Sequence, residues 1–187
     1  MSSFAIHIDA KPRDYTGAEL RSHFAYTAYG VLGDSGVAFV GRCSVGEAHM
    51  VDVEDLRARD FIASDRMLHF IIEHFEERLT AMVLRQRLLS RLAAAELGRL
   101  SGAAIAVRGD DLFLGPGKLS VSVATCSPVS GLIHFGLNVT NAGTPVKTAA
   151  LADLQVDERT AASAVLEAYR DEVESVRHAA MKVRWVP

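Results

Sequence analysis

The longest run of regularly spaced apolar residues lies in the middle of the chain. These residues recur at steps of three and four, which is the spacing of one face of an α-helix. Ser64 stands where an N-cap is expected, and Ser101-Gly102 supplies a stop. The pattern predicts a helix from Asp65 to Leu100, about 54 Å long if unbroken, with a break near Gln86 or Gly98. The apolar positions are Leu68, Ile72, Phe75, Leu79, Met82, Leu89 and Ala93.

Two further helices are predicted from the same spacing. One runs from Glu158 to Lys182 with Asp157 as its cap, and a shorter one covers Gly17 to Tyr29. The apolar stripe of the longer helix consists of Ala162, Leu166, Tyr169, Val173, Val176 and Ala180.

Alternating and short apolar runs predict strands elsewhere. Gly36–Arg42 and His49–Val53 form one candidate pair. A denser series contains Ala103–Val107, Asp111–Leu114, Lys118–Thr125 and Leu132–Val139, separated by short turns that favour antiparallel pairing. Strands flanked by long helices predict an α+β fold: one domain over residues 1–187, with a mixed or mostly antiparallel sheet backed by helices.

The last two predicted strands each have a polar face. Side chains alternate across a strand, so Lys118, Ser120 and Ser122 should share one face, and His134, Gly136 and Asn138 one face of the next strand. If the strands pair, small hydroxyls and a glycine leave a hollow in which a lysine suits a carboxylate or phosphate. The alternative interpretation is that this face is simply the solvent side of the sheet.

Composition narrows the classes of function. Apolar residues make up 49% and charged residues 23%, and the net charge is −3. This balance argues against nucleic acid as the primary partner. The 2 cysteines, the absence of a signal-like start and the absence of a long apolar run favour a cytoplasmic protein without a membrane partner.

Three motifs in the second half of the chain resemble the biotin and lipoate protein ligase superfamily. They are Gly109-Asp-Asp-Leu-Phe, Gly117-Lys118-Leu-Ser and His134-Phe-Gly-Leu-Asn138-Val, and their order and spacing agree over roughly thirty residues. The resemblance implies the fold of class II aminoacyl-tRNA synthetases and biotin ligases.

The chain as a whole is similar to DUF366, an uncharacterised family of bacteria and archaea. This resemblance implies a fold but no established activity. The segments that carry it are Leu20-Arg-Ser-His-Phe-Ala-Tyr, Leu32-Gly-Asp-Ser, Glu47-Ala-His-Met-Val-Asp, Ser64-Asp-Arg-Met-Leu-His-Phe, Arg85-Gln-Arg-Leu-Leu and Gly143-Thr-Pro-Val-Lys-Thr.

The ligase resemblance assigns roles to a few residues. Lys118 stands where the ligases have the lysine that binds the acyl carboxylate and the α-phosphate of the adenylate, with ATP and Mg²⁺ as the implied cofactors. Asp111 matches a ligase aspartate, and Asp110 replaces an asparagine. His134 and Asn138 match the final strand.

The sequence also departs from the ligase pattern. Both phosphate-binding loops of these enzymes are missing, and Val121 stands where they have a glycine. The nearest glycine-rich candidates are Gly30–Gly36 and Gly41-Arg42-Cys43, and neither has the required spacing.

A few other polar residues are candidates for binding. Arg42 and Lys147 could add positive charge near the sheet, and His23 lies in a DUF366-like segment together with Asp34, His49 and Asp52. A separate hypothesis places a metal at His49, His69 and Glu73, since His69 and Glu73 would lie one turn apart on the predicted helix.

Three functions remain open from the sequence. The first is a ligase- or acyltransferase-like enzyme that binds a small carboxylate or nucleotide with Lys118. The second is a non-catalytic ligand-binding module on the same fold, which the missing phosphate loop favours. The third is a metal-dependent hydrolase built around His69 and Glu73. The apolar stripes of the helices favour a homo-oligomer.

Overall fold

The architecture is a five-stranded mixed sheet with a smaller three-stranded sheet beside it. The computed structural model describes residues 3–59, 61–144 and 147–186. The strands are β1 (Ala5–Ile8), β2 (Ser35–Val45), β3 (Ile62–Phe75), β4 (Ala106–Arg108), β5 (Asp111–Leu114), β6 (Gly117–Lys118), β7 (Ser120–Cys126) and β8 (Ser130–Asn138). The helices are α1 (Phe24–Tyr29), α2 (Val53–Ala58), α3 (Leu79–Ser101), α4 (Leu151–Leu154) and α5 (Glu158–Lys182).

The large sheet has the strand order β1-β2-β3-β8-β7, and the small sheet has the order β4-β5-β6. β1 and β2 are parallel, whereas β2–β3, β3–β8 and β8–β7 are antiparallel. The predicted mixed sheet backed by helices is therefore confirmed. Among the described residues, no helix is long and apolar enough to cross a membrane.

The large sheet is covered on both faces. One face packs against α3 and α5 through a core that contains Phe70, Phe135 and Tyr169. The other face packs under α1 and the segment that contains Tyr15, through a second core that includes Phe39 and Met67. Because the central strands are buried on both faces, all nine residues of β8 are buried.

The predicted helix from Asp65 to Leu100 is wrong in its first part. Residues 62–75 form β3, and the helix begins only at Leu79. β3 lies in the centre of the sheet and is apolar on both faces, and such a run contains apolar residues at almost any spacing, including the helical one. Ser64 is therefore no helix cap, and α3 continues without the expected break at Gln86 or Gly98.

The other elements follow the predictions to different extents. α5 has the predicted bounds, and the Asp157 carboxylate accepts a hydrogen bond from Thr160 N, as a cap should. Its C-terminal part extends past the core, so Val176 is exposed rather than buried.

Two predicted elements are shorter or absent. The helix expected from Gly17 contains only Phe24–Tyr29, and the strand expected at His49–Val53 is replaced by a 3₁₀ turn at Glu47–His49 and by α2. In the motif that begins at Gly143, residues 145 and 146 lie outside the described part of the chain.

Gly41 allows the N-terminal segment to cross over β2. A Cβ at this position would lie 1.9 Å from the Arg13 carbonyl oxygen. The crossing segment then bonds to β2, with Arg13 N donating to Val40 O and Tyr15 N to Arg42 O. This crossing places the Tyr15 ring on the sheet face opposite α3 and α5.

Replacing Gly41 by Ala should destabilise the protein by about 2 kcal/mol or more, because the new methyl group has no room against backbone atoms. The matched control is Gly46→Ala, where an added Cβ meets no heavy atom within 4 Å. The control should stay within about 0.5 kcal/mol of the parent. Urea unfolding measures both values, and equal effects of the two substitutions would contradict the crossing geometry.

Candidate functional site

Two adjoining cavities open on the sheet face that α3 and α5 leave free. Their volumes are about 270 and 390 Å³, close to the lower end of the usual range for ligand sites. Asp55, Ile62, Lys118 and Val121 line both cavities, so the two form one continuous cleft. We call it the Lys118 cleft.

Lys118 lies at the junction of the two cavities. It belongs to the two-residue strand β6, where it pairs with Phe113, and its backbone is also bonded to the chain around Lys147 and Ala149. Its Nζ lies 2.9 Å from Asp111 Oδ2, and 34% of the side chain is exposed. The ammonium group is thus anchored at one side and accessible from the cleft.

Ser120 and Ser122 do not share a polar face with Lys118, contrary to the prediction. Leu119, between β6 and β7, is buried in the core under the helices, and this irregularity shifts the alternation by one residue. Ser122 lies opposite Phe135, and its hydroxyl accepts a hydrogen bond from Gln86 on α3.

The hydroxyl of Ser120 is also used inside the protein, where it accepts from Leu112 N. Both serines border the cleft. On β7 it is Val121 and Val123 that lie opposite Gly136 and His134, and they give the cleft an apolar floor in place of the expected hydroxyls.

Four carboxylates line the first cavity. Asp110 is bonded to Gln86 and forms an ion pair with Arg87, while Asp111 pairs with Lys118. Asp52 and Asp55 come from α2 on another wall, where Asp52 caps the helix by accepting from Glu54 N. The lining is therefore acidic around a single ammonium group.

Two stacked histidines lie beneath this cavity. His134, on β8, is 4% exposed and lines the cavity, and its ring stacks on Tyr15 with the centroids 3.8 Å apart. His134 Nε2 lies 3.1 Å from Nδ1 of the fully buried His69 on β3. Burial lowers the pKa of His69 to about 3 and lowers that of His134 well below its ordinary value, so both rings are neutral near pH 7.

The remaining candidate residues lie away from the cleft or have structural partners. The Asn138 amide donates to the carbonyls of Lys118 and Ala149 and borders the second cavity. Arg42 and Lys147 are exposed and are not part of the cleft lining in the described chain. His23 uses its backbone N–H to bind the Glu73 carboxylate.

The three residues of the metal hypothesis are spread over different places. His49 lines the first cavity, His69 is buried beneath it, and Glu73 accepts hydrogen bonds from His23 N and the Ser130 hydroxyl. His69 and Glu73 lie on a strand, so the helical turn that was to join them does not exist. Within the described ranges, no group of three or more His, Cys, Asp or Glu residues could hold a metal ion.

Asp34 belongs to a hydrogen-bond network on the sheet face opposite the Lys118 cleft. Its carboxylate accepts from Phe75 N and from the Nδ1 edge of His74, whose Nε2 lies 2.9 Å from the Tyr169 hydroxyl. Arg177 also pairs with Asp34. This buried network connects β3 to α5, and it has no part in the cleft.

Sequence reasoning missed Tyr15, Met50, Val51 and Asp55 as parts of the cleft wall. Tyr15 reaches the cleft only because its segment crosses at Gly41, and no local pattern marks such a crossing. The pairing of His69 with His134 could have been found only by placing both on adjacent strands, and the helical assignment of His69 prevented that.

The buried histidines should make the fold sensitive to mild acid. The pKa of His69 falls from its ordinary value of 6.5 to about 3, so between these values the unfolded chain binds a proton that the native chain does not. Stability is therefore lost as the pH falls through this window, by about 1.4 kcal/mol per pH unit for each such histidine. Burial also lowers the pKa of His74 and His134, so they act in the same direction.

Urea unfolding of the parent at about pH 7 and about pH 5 tests this, since carboxylates titrate mostly below that range. The substitution His69→Gln should reduce the loss in the free energy of unfolding between these pH values by about the contribution of one histidine. The substitution of the exposed His178 by Gln should leave that loss unchanged. A free energy of unfolding that is constant over this range in the parent would contradict the burial argument.

Several proteins of known structure share this fold. A protein of unknown function from Pyrococcus horikoshi has a solved structure with a TM-score of 0.95 and 40% identity, covering 100% of both chains. Biotin protein ligase from Aquifex aeolicus, in complex with biotin and ATP, gives a TM-score of 0.64 at 14% identity, covering 94% of this chain and 72% of the ligase.

Lipoate-protein ligase A bound with ATP gives a TM-score of 0.57 at 13% identity, covering 93% of this chain and 86% of that protein. At these identities the two ligases share the fold alone. The model of the domain of unknown function DUF366 matches residues 4–184. The chain therefore belongs to the DUF366 family, and its fold is that of the biotin and lipoate protein ligases.

Proposed function

We propose that the Lys118 cleft binds a small organic molecule through its carboxylate, in an enzyme of the acyl-activating or acyl-transferring type. The observation that carries the proposal is the position of the Lys118 ammonium group at the junction of both cavities, where it can meet a ligand in either one. The apolar walls around Val121 and Ile62 suit the carbon chain of such an acid.

The proposed role of Lys118 is to neutralise the ligand's carboxylate and to stabilise charge that develops on its oxygen atoms during acyl transfer. Such a step depends on orientation and a fixed positive charge. Asp111 fits this role, because its carboxylate holds the ammonium group in place from the side. His134 adds a neutral ring that can hydrogen bond to the ligand at the floor of the cleft.

ATP with Mg²⁺, which the ligase resemblance implies, does not fit the cleft well. Lys118 is the only lysine or arginine in the described lining of either cavity, and it already pairs with Asp111. A triphosphate needs several cations or a loop of backbone N–H groups, whereas this lining adds four carboxylates. We therefore derive no step through ATP.

The shortage of cations in the cleft lining also favours the second candidate function, a ligand-binding module without catalysis. Single-domain organisation, cytoplasmic location and homo-oligomerisation stay predictions from the sequence. Incubation of the protein with ATP, Mg²⁺ and a library of acids separates enzyme from module. Release of pyrophosphate or formation of an acyl product supports the enzyme, and saturable binding without turnover supports the module.

Replacing Lys118 by Ala should abolish the ligand-induced rise in melting temperature and weaken acid binding by about tenfold or more, because a charge-assisted hydrogen bond is lost. The fold should survive, since a partly exposed ion pair contributes about 1 kcal/mol or less. Thermal shift against a library of small carboxylic acids measures the effect.

The control for this experiment is the exposed Lys182→Ala at the end of α5, which has the same change in charge far along the chain. It should respond to ligands as the parent does. Equal ligand responses of the parent and the Lys118 variant would remove Lys118 from the site.

A further inference from the structure

The second cavity of the Lys118 cleft has an exposed mouth and a buried inner end. Phe61, at one side of its lining, is 62% exposed, whereas Met67, on the central strand β3, is 1% exposed. The other apolar residues of the described lining are partly buried; they are Ile62, Ala63 and Val121. Met67 is therefore the deepest apolar residue of the described lining, and a ligand that fills this cavity ends against it.

The Met67 side chain lies over a glycine in the floor of the sheet. Met67 pairs with Asn138, and His69 pairs with Gly136, so Met67 and Gly136 are diagonal neighbours on the cleft face. A Cβ added at Gly136 would lie 2.4 Å from Met67 Sδ and 3.2 Å from Val121 Cγ2. The thioether thus fills the space that a side chain at Gly136 would take, and it closes that space to a ligand.

The polar groups of the second cavity already have partners in the protein. The Asn138 amide and the Thr148 hydroxyl donate to acceptors of the chain, and the Ser120 hydroxyl accepts from a backbone N–H. The inner end, between Met67 Sδ and the Val121 methyl group, is apolar. A second carboxylate at the far end of a ligand would be buried there without a partner, which is costly.

We propose that Met67 is the specificity-determining residue of the Lys118 cleft: it limits the length of the carbon chain and admits only an apolar chain end. The ligand's carboxylate binds Lys118, its chain lies along Ile62 and Val121, and its end meets the Met67 thioether above Gly136. This inference rests on the proposed carboxylate function and adds the size and the end group of the acid. It involves no change of covalent bonds.

A homologous series of straight-chain acids tests the proposal on the full chain. Isothermal titration calorimetry gives the affinity for each monocarboxylate from butanoate to dodecanoate. Each further buried methylene should tighten binding about fourfold. The gain should end at the acid whose chain reaches Met67, and we call this acid the length limit.

The variant Met67→Ala should move the length limit to longer acids. The substitution removes Cγ, Sδ and Cε, so the gain in affinity should continue for about three further carbons. Met82→Ala is the matched control, because Met82 is also fully buried and lies over Gly131 on the helix face of the same strand β8. It loses the same atoms from the core, should lower the melting temperature to a similar extent, and should keep the length limit of the parent.

The variant Met67→Leu keeps the test valid if Met67→Ala does not fold. Leucine has nearly the volume of methionine, so the fold should persist. Its side chain is one atom shorter, and the length limit should move by about one carbon.

Dicarboxylic acids test the apolar chain end. At the length limit, the dicarboxylic acid should bind about tenfold or more weakly than the monocarboxylic acid of equal length, because its second carboxylate loses water at the inner end without gaining a partner.

The outcomes separate this inference from the proposed function. If acids bind in a Lys118-dependent manner and every folded Met67 variant keeps the parent's length limit, the inference is overturned and the carboxylate function stands. A limit that moves equally in Met82→Ala, a series without a limit, or equal binding of dicarboxylic acids has the same consequence. If Lys118→Ala changes the affinity for no acid, the carboxylate function is overturned and the role of Met67 with it. Absence of binding for every acid of the series and of the larger library overturns both.

Discussion

The pairing of β3 with β8 at the centre of the sheet is the constraint on which the rest of the structure depends. β3 from Met67 to His74 and all of β8 are buried on both faces, so the polar side chains there need partners inside the protein. Glu73 is satisfied by His23 and Ser130, and His74 by Asp34 and Tyr169. These partners come from distant parts of the chain, and they fix the covering segments on both faces.

Beneath the cleft, the polar side chains of these strands do not have a hydrogen-bond partner for every polar atom. On the helix face the polar groups of β3 are bonded within the network of Asp34, His74 and Tyr169. On the other face, within the described residues, His134 retains a ring nitrogen without a partner, beside Lys118 and the acidic wall. A buried polar atom without a partner is costly in a core that serves stability alone. The His69 Nε2 atom of the pair formed by His69 and His134 is one such atom, which supports the proposal that the adjoining cavity binds a ligand.

The sequence predicted elements most accurately where they bury one face and expose the other, because their apolar residues then repeat with a clear period. α5 was found with its bounds and its cap, because Ala162, Leu166 and Tyr169 face the core and their neighbours face outward. The face of β8 that carries His134 and Asn138 was predicted although β8 is buried on both faces, because polar and apolar side chains still alternate along this strand. β3 was mistaken for a helix because a strand buried on both faces has no polar face to reveal its period.

The site was predicted only in part, because the prediction relied on strict alternation of side chains along the strands. Lys118 and His134 do line one cavity, but Ser120 and Ser122 turn toward the helices because Leu119 shifts the alternation. A one-residue irregularity reverses every side chain after it, and no composition or spacing signals it. Asp52 was a candidate from the sequence, but its position near Lys118 could not be predicted, because the two residues are far apart along the chain and only the fold brings them together.

The ion pair between Lys118 and Asp111 bears on the proposed binding of a carboxylate, because it already occupies part of the ammonium group. About a third of each side chain is exposed, so the pair contributes about 1 kcal/mol or less and is screened by salt. A carboxylate can therefore share the ammonium group at little cost, since the lysine has three N–H donors. A fully buried pair would instead resist separation, because removing one partner leaves an uncompensated charge. Partial exposure thus keeps Lys118 oriented by Asp111 while leaving it able to bind a second anion.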